Sequence, residues 1–323
     1  MREHTDFWSG KRIAILPCTA LGDVTIYLRL AWLFHIAGAQ VRFISSTLTS
    51  AAGYFPWLQV ESSEAVDLPT LAAENDLVVS YINWLMRDAE SVAETLQASN
   101  IAFVTAKKLP RELALDGRAV NVADRVFLQA SRPLCLRSRA GLNMVQWVDE
   151  YAASVYGLVS AEPIVVALPS VAADARRRVA IFPTTPHEKK NYSPTGFLWL
   201  ARRLRALGWT VEFVGLPAER NTLAALYPDF TVRSFPNIGQ LVEFLAGGAV
   251  VISNDSGGGH LGSLMGLRSF TITRKHAEFV WRPGFNDRNQ VLAPVISFKL
   301  LGRYIWRPFI PVWRIATELG SAP

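Results

Sequence analysis

The chain alternates short apolar runs with longer helical patterns, and this alternation limits the folds open to it. In the first half, strands are predicted at 11–18, 41–44, 76–81 and 101–105, and helices at 23–36, 88–97 and 143–156. In the second half, strands are predicted at 179–183, 210–215, 231–233 and 250–253, and helices at 194–207, 223–226 and 238–245. Strands that alternate with helices at this spacing predict an α/β protein with doubly wound parallel sheets.

The pattern weakens once, between residues 159 and 178, where two prolines and a run of arginines interrupt it. A stretch of this kind is typical of a linker. A chain of 323 residues also suits two domains of about 150 residues each. We therefore predict an N-terminal domain at 1–165 and a C-terminal domain at 166–323. In such sheets ligands bind beyond the carboxyl ends of the strands, so we expect the site in the cleft between the two domains.

Composition narrows the class of partner. Half of the residues are hydrophobic and 19% are charged, which indicates a folded globular protein. The net charge of +6 favours anionic partners, among them nucleic acid, phosphorylated sugars and anionic membranes. Cys18 and Cys135 lack a Cys-x-x-Cys spacing, so neither a disulfide framework nor a zinc site is expected. No signal peptide or apolar run of about 18 residues is visible, so we expect a cytoplasmic protein.

One stretch, residues 249–267, has a pattern that suits phosphate. A short apolar strand at 250–253 is followed by the polar residues 254–256, which offer helix-capping side chains, and then by three glycines at 257–259. His260 is expected to open the next helix. The free N–H groups and the dipole of a helix N-terminus favour an anion, and glycines let a ligand come close. Tight packing of a strand–helix corner explains the same glycines equally well.

Three segments in this order resemble the bacterial heptosyltransferases of glycosyltransferase family 9. They are L-G-D at 21–23, K-N-Y-S-P-T-G-F at 190–197 and N-D-S-G-G-G-H-L-G-S-L-M-G at 254–266. Weaker similarities are G-L-P-A-E at 215–219 and W-R-P at 281–283. The resemblance implies a GT-B fold, in which two Rossmann-like domains face each other across a cleft. It also implies an acceptor site on the first domain and a nucleotide-sugar donor site on the second.

Two residues are candidates for catalysis through this resemblance. Asp23 matches the aspartate proposed in the family to take the proton from the acceptor hydroxyl, which is general-base work that suits a carboxylate. The alternative is that Asp23 simply N-caps the first helix. Lys190 would stabilise the negative charge of the departing diphosphate. Its alternative is one half of a solvated surface pair with Lys189, and only the family register selects Lys190.

The donor site is expected at the start of the helix after the 250–253 strand. Backbone N–H groups of this turn and the Ser256 hydroxyl would donate to the diphosphate, and Asp255 would fix the turn or meet a sugar hydroxyl. The resemblance places five residues there: Asp255, Ser256, Gly257, Gly258 and His260.

Three further donor contacts are expected after other strands of the same domain. Thr184 and Thr185 occupy a turn where phosphate contacts belong, with ordinary turn bonding as their alternative. Glu219 would accept hydrogen bonds from a ribose, with capping of a helix start as its alternative. The segment T-I-T-R-K-H at 271–276 departs from the family's F-G-P-T-like turn, and its basic side chains could replace the missing phosphate contacts.

The leading interpretation is an inverting glycosyltransferase that moves a heptose-like sugar to lipopolysaccharide or another surface glycan. No Asp-x-Asp motif or metal-ligand spacing is visible, so we expect no metal and no cofactor beyond the nucleotide-sugar co-substrate. A nucleotide-sugar 2-epimerase and a catalytically silent glycan-binding subunit remain as alternatives. A nucleic-acid partner is not expected, and no G-x-G-x-x-G follows the first strand, which disfavours a dehydrogenase.

The C-terminal stretch at 298–315 mixes basic and aromatic residues. Such a composition suits the headgroup region of a membrane, so peripheral contact with the inner face of the cytoplasmic membrane is one interpretation. Packing is favoured over membrane contact, since Pro308 and Pro311 prevent one long amphipathic helix. We expect residues from about 300 to 323 to pack back on the N-terminal domain.

Overall fold

The computed structural model describes residues 7–87, 92–106, 108–115, 117–136, 141–169, 177–248 and 250–320. The chain divides into two compact units. The first holds residues 1–140 and 144–167, and the second holds residues 141–143 and 168–323. The sequence places the domain boundary at 165/166, close to this division.

The described part of the first unit contains a six-stranded parallel sheet in the order β3-β2-β1-β4-β5-β8. Its strands, with a separate hairpin of β6 and β7, are β1 (Arg12–Leu16), β2 (Gln40–Ile44), β3 (Gln59–Glu61), β4 (Leu77–Tyr81), β5 (Ile101–Thr105), β6 (Val120–Val122), β7 (Arg125–Phe127) and β8 (Arg132–Pro133). Its helices are α1 (Leu21–Ile36), α2 (Leu68–Glu74), α3 (Ile82–Leu85), α4 (Val92–Gln97) and α5 (Met144–Tyr151). Residues 88–91 of the predicted helix 88–97 lie outside the described residues.

The described part of the second unit repeats this topology in the order β11-β10-β9-β12-β13-β14, again all parallel. Its strands, with a C-terminal hairpin, are β9 (Arg178–Phe182), β10 (Thr210–Gly215), β11 (Thr231–Ser234), β12 (Val250–Asn254), β13 (Arg268–Ile272), β14 (Asn289–Leu292), β15 (Phe298–Leu300) and β16 (Arg303–Ile305). Its helices are α6 (Pro194–Ala206), α7 (Arg220–Leu226), α8 (Ile238–Ala246), α9 (Gly257–Leu264) and α10 (Trp313–Gly320). The predicted α/β fold with two doubly wound sheets is confirmed.

The central strands of both sheets are buried because they read as continuous apolar runs. In β9, Val179 and Ile181 are fully buried; Ile181 pairs with Ile252 on β12, which in turn pairs with Phe270 on β13. Parallel sheets covered by helices on both faces need such strands, since neither face meets water. This rigid centre fixes the loops that leave the carboxyl ends of the strands.

The C-terminal segment contributes to the core of the second unit. Trp306, Ile310, Ile315 and Leu319 are all buried in the same apolar cluster as α6 and the sheet. Helix α10 packs on α6 there. These contacts account for its buried apolar side chains within the second unit, and the expected packing on the N-terminal domain stays a prediction.

Candidate functional site

The strand order of the second unit determines which loops meet. Strands β9 and β12 are neighbours, and the chain order reverses between them, so their carboxyl ends form a topological switch point. Ligands of doubly wound sheets bind at such points, because the loops on the two sides diverge there and leave a crevice. The loop after β9 carries Thr184, Thr185 and Lys190, and the turn after β12 carries Asp255 and leads into α9.

A single carboxylate holds two lysines at this edge of the sheet. Lys190 Nζ lies 3.1 Å from Asp255 Oδ2, and Lys275 Nζ, which follows β13, lies 3.5 Å from the same oxygen. The Asp255 side chain is only 8% exposed, whereas those of Lys190 and Lys275 are 31% and 38% exposed. Two ammonium groups share one carboxylate, so the cluster carries one net positive charge and keeps both cations accessible to a ligand.

The contacts of Asp255 are therefore more specific than the sequence suggested. Its carboxylate positions the two lysines, where the sequence predicted that it would fix the turn or meet a sugar hydroxyl. Of the basic residues in the 271–276 segment, Lys275 is the one that an ion pair places in the cluster. Its backbone N–H also bonds to Thr273 Oγ1 at 3.2 Å, which fixes the turn after β13.

Helix α9 begins earlier than predicted. The sequence places its start at His260, but the helix begins at Gly257 with Ser256 as its N-cap. The prediction is wrong because Gly257, Gly258 and Gly259 form the first helical turn and are not among the glycines with positive φ. The Ser256 side chain makes no capping hydrogen bond. The N-terminal N–H groups thus receive no help from that hydroxyl.

Two of these glycines are needed for close packing of the helix on the sheet. A β-carbon on Gly258 would lie 2.6 Å from Phe182 Cδ1, and one on Gly259 would lie 2.4 Å from Ser253 Oγ. Both distances are well below van der Waals contact, so only glycine lets α9 lie this close to β9 and β12. The tight-packing explanation of the glycines is therefore supported, and it also sets the helix N-terminus beside Asp255.

His260 is buried in the first turns of α9 and is anchored on one side of its ring. Its Nε2 lies 3.1 Å from the backbone oxygen of Trp281, which can only accept, so Nε2 carries the proton. Burial, as the largest cause, lowers the pKa of His260, with Asp255 acting in the opposite direction. The neutral ring then presents Nδ1 as an acceptor, and Nδ1 is buried with no hydrogen-bond partner among the described residues.

The Ser256 hydroxyl is in the same state as Nδ1 of His260. Its Oγ is buried and has no hydrogen-bond partner in the part of the chain that the structure describes. Buried polar atoms are normally paired, so two such atoms one helical turn apart are unusual. They leave one donor–acceptor hydroxyl and one acceptor nitrogen available near the Lys190–Asp255–Lys275 cluster.

Thr184 and Glu219 lie together after β9 and β10. Thr184 Oγ1 donates to Glu219 Oε2 at 3.1 Å, and the backbone N–H of Leu216 donates to the same oxygen at 2.8 Å. The capping alternative for Glu219 is thus observed, since its carboxylate holds the turn that leads into α7. This contact also joins the loops of neighbouring strands.

Thr185 makes turn bonds within the loop that carries Lys190. Its Oγ1 lies 2.8 Å from Asn191 Oδ1 and 3.0 Å from the carbonyl oxygen of His187, and it accepts from the His187 N–H at 3.2 Å. The residue is 9% exposed. The turn-chemistry alternative describes Thr185 well, because its hydroxyl is occupied by the loop itself.

Asn254 is a residue that sequence reasoning assigned to helix capping only. Its side chain is fully buried at the end of β12, where Oδ1 accepts from the Tyr192 N–H at 2.9 Å and Nδ2 donates to the Pro183 carbonyl at 2.6 Å. These bonds hold both ends of the loop that carries Lys190. The signal in the sequence is an amide at the last position of an apolar strand, where a side chain without partners would be costly.

Asp23 belongs to the first unit, in the first turn of α1. The N-cap of that helix is Ala20, so the alternative that Asp23 N-caps it is wrong. Burial raises the pKa of the Cys18 thiol, and the charge of Asp23 and a hydrogen bond to it raise that pKa further. The Asp23 charge also adds to the effect of burial in raising the pKa of Tyr27. Asp23 therefore lies beside a thiol and a phenol at the end of β1.

The described residues show neither a cluster of metal ligands nor a membrane-spanning helix. They contain no group of three or more His, Cys, Asp or Glu side chains that could hold a metal ion. None of their helices combines the length and the apolar character that a membrane-spanning helix needs.

Comparison with known proteins finds one family model that matches part of the chain. Residues 154–297 match the model of glycosyltransferase family 9 (heptosyltransferase). No curated protein sequence matches the chain. The predicted resemblance to this family and the predicted GT-B fold are both confirmed.

Solved structures of similar fold cover nearly the whole chain. A glycosyltransferase family 9 structure from Veillonella parvula has a TM-score of 0.70 at 15% identity, over 97% of this chain and 98% of that one. The E. coli ADP-heptose lipopolysaccharide heptosyltransferase II has a TM-score of 0.67 at 15% identity, over 96% and 98%. An E. coli heptosyltransferase solved with ADP has a TM-score of 0.64 at 14% identity, over 95% and 98%.

Proposed function

Because the chain carries a glycosyltransferase family 9 domain at residues 154–297, we propose that it is an inverting glycosyltransferase. It moves a heptose-like sugar from a nucleotide-diphosphate donor to a lipopolysaccharide or another surface-glycan acceptor. The observation that carries this proposal is the pair of lysines held by Asp255 beside the N-terminus of α9. A diphosphate is the ligand class that fits two accessible ammonium groups and a helix dipole.

The donor binds to the second unit with its diphosphate at this cluster. Lys190 and Lys275 contact phosphate oxygens, and the N–H groups of Gly257 and Gly258 lie at the positive end of the helix. Similar folds have been solved with ADP, which supports an adenosine diphosphate sugar as the donor. His260 has its proton on Nε2, so its Nδ1 suits a hydroxyl of the donor better than an unprotonated phosphate oxygen.

The reaction needs a base for the acceptor and stabilisation for the leaving group. Asp23 takes the proton from the acceptor hydroxyl, whose oxygen attacks the anomeric carbon from the face opposite the diphosphate. The bond from that carbon to the phosphate oxygen breaks, and its electron pair leaves with the nucleoside diphosphate. Lys190 and Lys275 stabilise this growing charge, so the step proceeds without a resident metal or further cofactor.

Thr184, Thr185 and Glu219 support the donor site from neighbouring loops. Glu219 presents a carboxylate that suits ribose hydroxyls while it holds Thr184 and the turn after β10. Thr185 keeps the Lys190 loop closed. The protein is cytoplasmic in this proposal, with a glycan or glycolipid acceptor and peripheral contact at the inner membrane surface.

A nucleotide-sugar panel tests the proposal. Purified protein is heated with ADP-, UDP- and GDP-sugars, and the best ligand then serves as donor in a transfer assay with a lipopolysaccharide core acceptor. A ligand that binds only the folded state raises the melting temperature. Asp23→Asn should retain this shift and lose transfer, because the amide cannot accept the proton.

Other outcomes would contradict the proposal. Unchanged turnover in Asp23→Asn would remove the base assignment. Conversion of the donor sugar without any acceptor would indicate an epimerase, and no shift with any nucleotide would favour a silent glycan-binding subunit.

A further inference from the structure

The C-terminal hairpin of the second unit exposes an unusual number of apolar side chains. Every residue from 295 to 304 is exposed, and we call this stretch the hairpin surface. Its apolar members are Val295, Ile296, Phe298, Leu300, Leu301 and Tyr304. Single exposed apolar residues are common, but a contiguous group marks a surface that meets something else.

The tip of the hairpin has a leucine at a position that is unfavourable for it in two respects. Strands β15 and β16 are joined by Leu301 and Gly302, whose φ values are +48° and +76°. Two-residue turns with both φ values positive favour Asn-Gly, because asparagine tolerates this backbone region and leucine does not. Leu301 is also 94% exposed. Neither backbone geometry nor solubility explains leucine here, whereas a partner that takes up its side chain does.

The charge around the tip has one sign. Between Asn289 and Thr317 the sequence contains four basic residues and no acidic one. Two of the basic residues flank the tip, where Lys299 pairs with Tyr304 and Arg303 pairs with Leu300 across the hairpin. A second copy of this surface would meet the first with like charges, so self-association through it is disfavoured. An anionic surface is complementary.

Contacts with the rest of the second unit fix the base of the hairpin. The Val295 N–H donates to the Phe309 carbonyl at 3.0 Å, and the rings of Phe298 and Phe309 are 5.9 Å apart. Trp306, directly after β16, is 2% exposed in the core of the second unit. These contacts hold the apolar tip in an exposed position. The tip is therefore already ordered before a partner binds.

We propose that the hairpin surface docks the protein on an anionic phospholipid membrane. Leu300 and Leu301 enter the boundary between headgroups and acyl chains, while Lys299 and Arg303 contact lipid phosphates. Tyr304 lies at headgroup level, where its polar hydroxyl and apolar ring are both accommodated. The proposal rests on the membrane contact of the proposed function and gives that contact a site, and its failure is distinguishable from a failure of sugar transfer because lipid binding is measured without donor or acceptor.

Vesicle sedimentation tests this docking. The full-length protein is mixed with phosphatidylcholine vesicles that contain phosphatidylglycerol, and with vesicles of phosphatidylcholine alone. We expect binding to the anionic vesicles only. Leu301→Asn should weaken this binding about tenfold because the buried apolar group is lost. It should leave the melting temperature equal or higher, since asparagine suits the turn.

The charges are tested separately. Lys299→Ala and Arg303→Ala should each reduce binding to the anionic vesicles about fivefold. Leu128→Asn is the matched control, since Leu128 is a leucine of the first unit that is 61% exposed, and it should bind as the original chain does. Equal binding to neutral vesicles, unchanged binding of Leu301→Asn, or a dimer that Leu301→Asn dissociates would overturn the proposal.

Discussion

At the residue scale, Lys190 and Lys189 show how geometry separates two neighbours of the same type. Lys189 is exposed, whereas Lys190 is half-buried and pairs with the nearly buried carboxylate of Asp255. An ammonium held by a buried partner has a defined position, and one in solvent does not. A defined position lets a charge stabilise a transition state without reorganisation.

Replacement of Lys190 should therefore affect turnover and spare the fold. We expect Lys190→Ala to lower kcat about a hundredfold, because a fixed positive charge opposite the leaving diphosphate is lost. The melting temperature should change little, since Lys275 still pairs with Asp255. Steady-state kinetics with the donor found by the panel measure the effect. Lys189→Ala is the control and should keep its activity, and equal losses in both variants would refute the assignment.

His260 should make the stability of the second unit depend on pH. Burial holds its pKa in the folded protein below the ordinary value of about 6.5, so the unfolded chain binds a proton that the folded chain excludes. Stability from this group is present at higher pH and is lost as the pH falls below about 6.5. His260→Gln keeps a donor for the Trp281 carbonyl and does not titrate.

The measurement is denaturant unfolding at about pH 7.5 and about pH 5.5, on either side of the histidine range. We expect the free energy of unfolding to fall less on acidification in His260→Gln than in the original chain. An identical pH dependence in the two proteins would show that His260 does not contribute.

At the element scale, the start of α9 depends on its glycines. In most helices, glycine to alanine is stabilising by about 0.5–1 kcal/mol. Here the substitution Gly258→Ala should destabilise the protein, since the new β-carbon would overlap the Phe182 ring at 2.6 Å. We expect the free energy of unfolding to fall by about 1–3 kcal/mol, the usual cost of overpacking.

Thermal or denaturant unfolding of the variant measures this cost. Gly53→Ala is the matched control, because nothing lies within 4 Å of a β-carbon there and the φ of Gly53 is not positive. It should be neutral or slightly stabilising. If both variants gain stability, the close packing of α9 on β9 is not required.

Other elements of the two sheets show how much of the fold the local sequence pattern predicts. Strands β5 and β10 have the bounds that were predicted, 101–105 and 210–215, because both are apolar runs with clear turns on either side. Strand β14 was not predicted, since N-Q-V-L is half polar and its pairing with β13 supplies the missing stabilisation. The hairpin of β15 and β16 was hidden by a leucine in a turn position that normally holds asparagine.

At the scale of the whole molecule, a donor bound to the second unit should protect that unit locally. With ADP at about 100 times its Kd, binding stabilises the folded state by about 2.7 kcal/mol. Hydrogen exchange read by mass spectrometry should then slow in three places, namely residues 183–193, 254–264 and 273–276. The strands of the first sheet should keep their exchange rates.

Two variants sharpen this experiment. Lys190→Ala should reduce the protection, whereas Asp23→Asn should leave it unchanged, since Asp23 belongs to the first unit. Protection confined to the first unit would place the nucleotide elsewhere and refute the donor site.

The order of residues alone predicts the fold class, the order of the central elements and the resemblance to glycosyltransferase family 9, because apolar periodicity and motif order are local properties of the chain. It also named Lys190, Asp255 and His260. What these residues do to one another depends on the folded chain. The pairing of Lys275 with Asp255, the clamp of Asn254 and the neutral, Nε2-protonated ring of His260 all arise where loops of separate strands meet. Contact energies of that kind depend on distance and burial, which the order of residues does not contain.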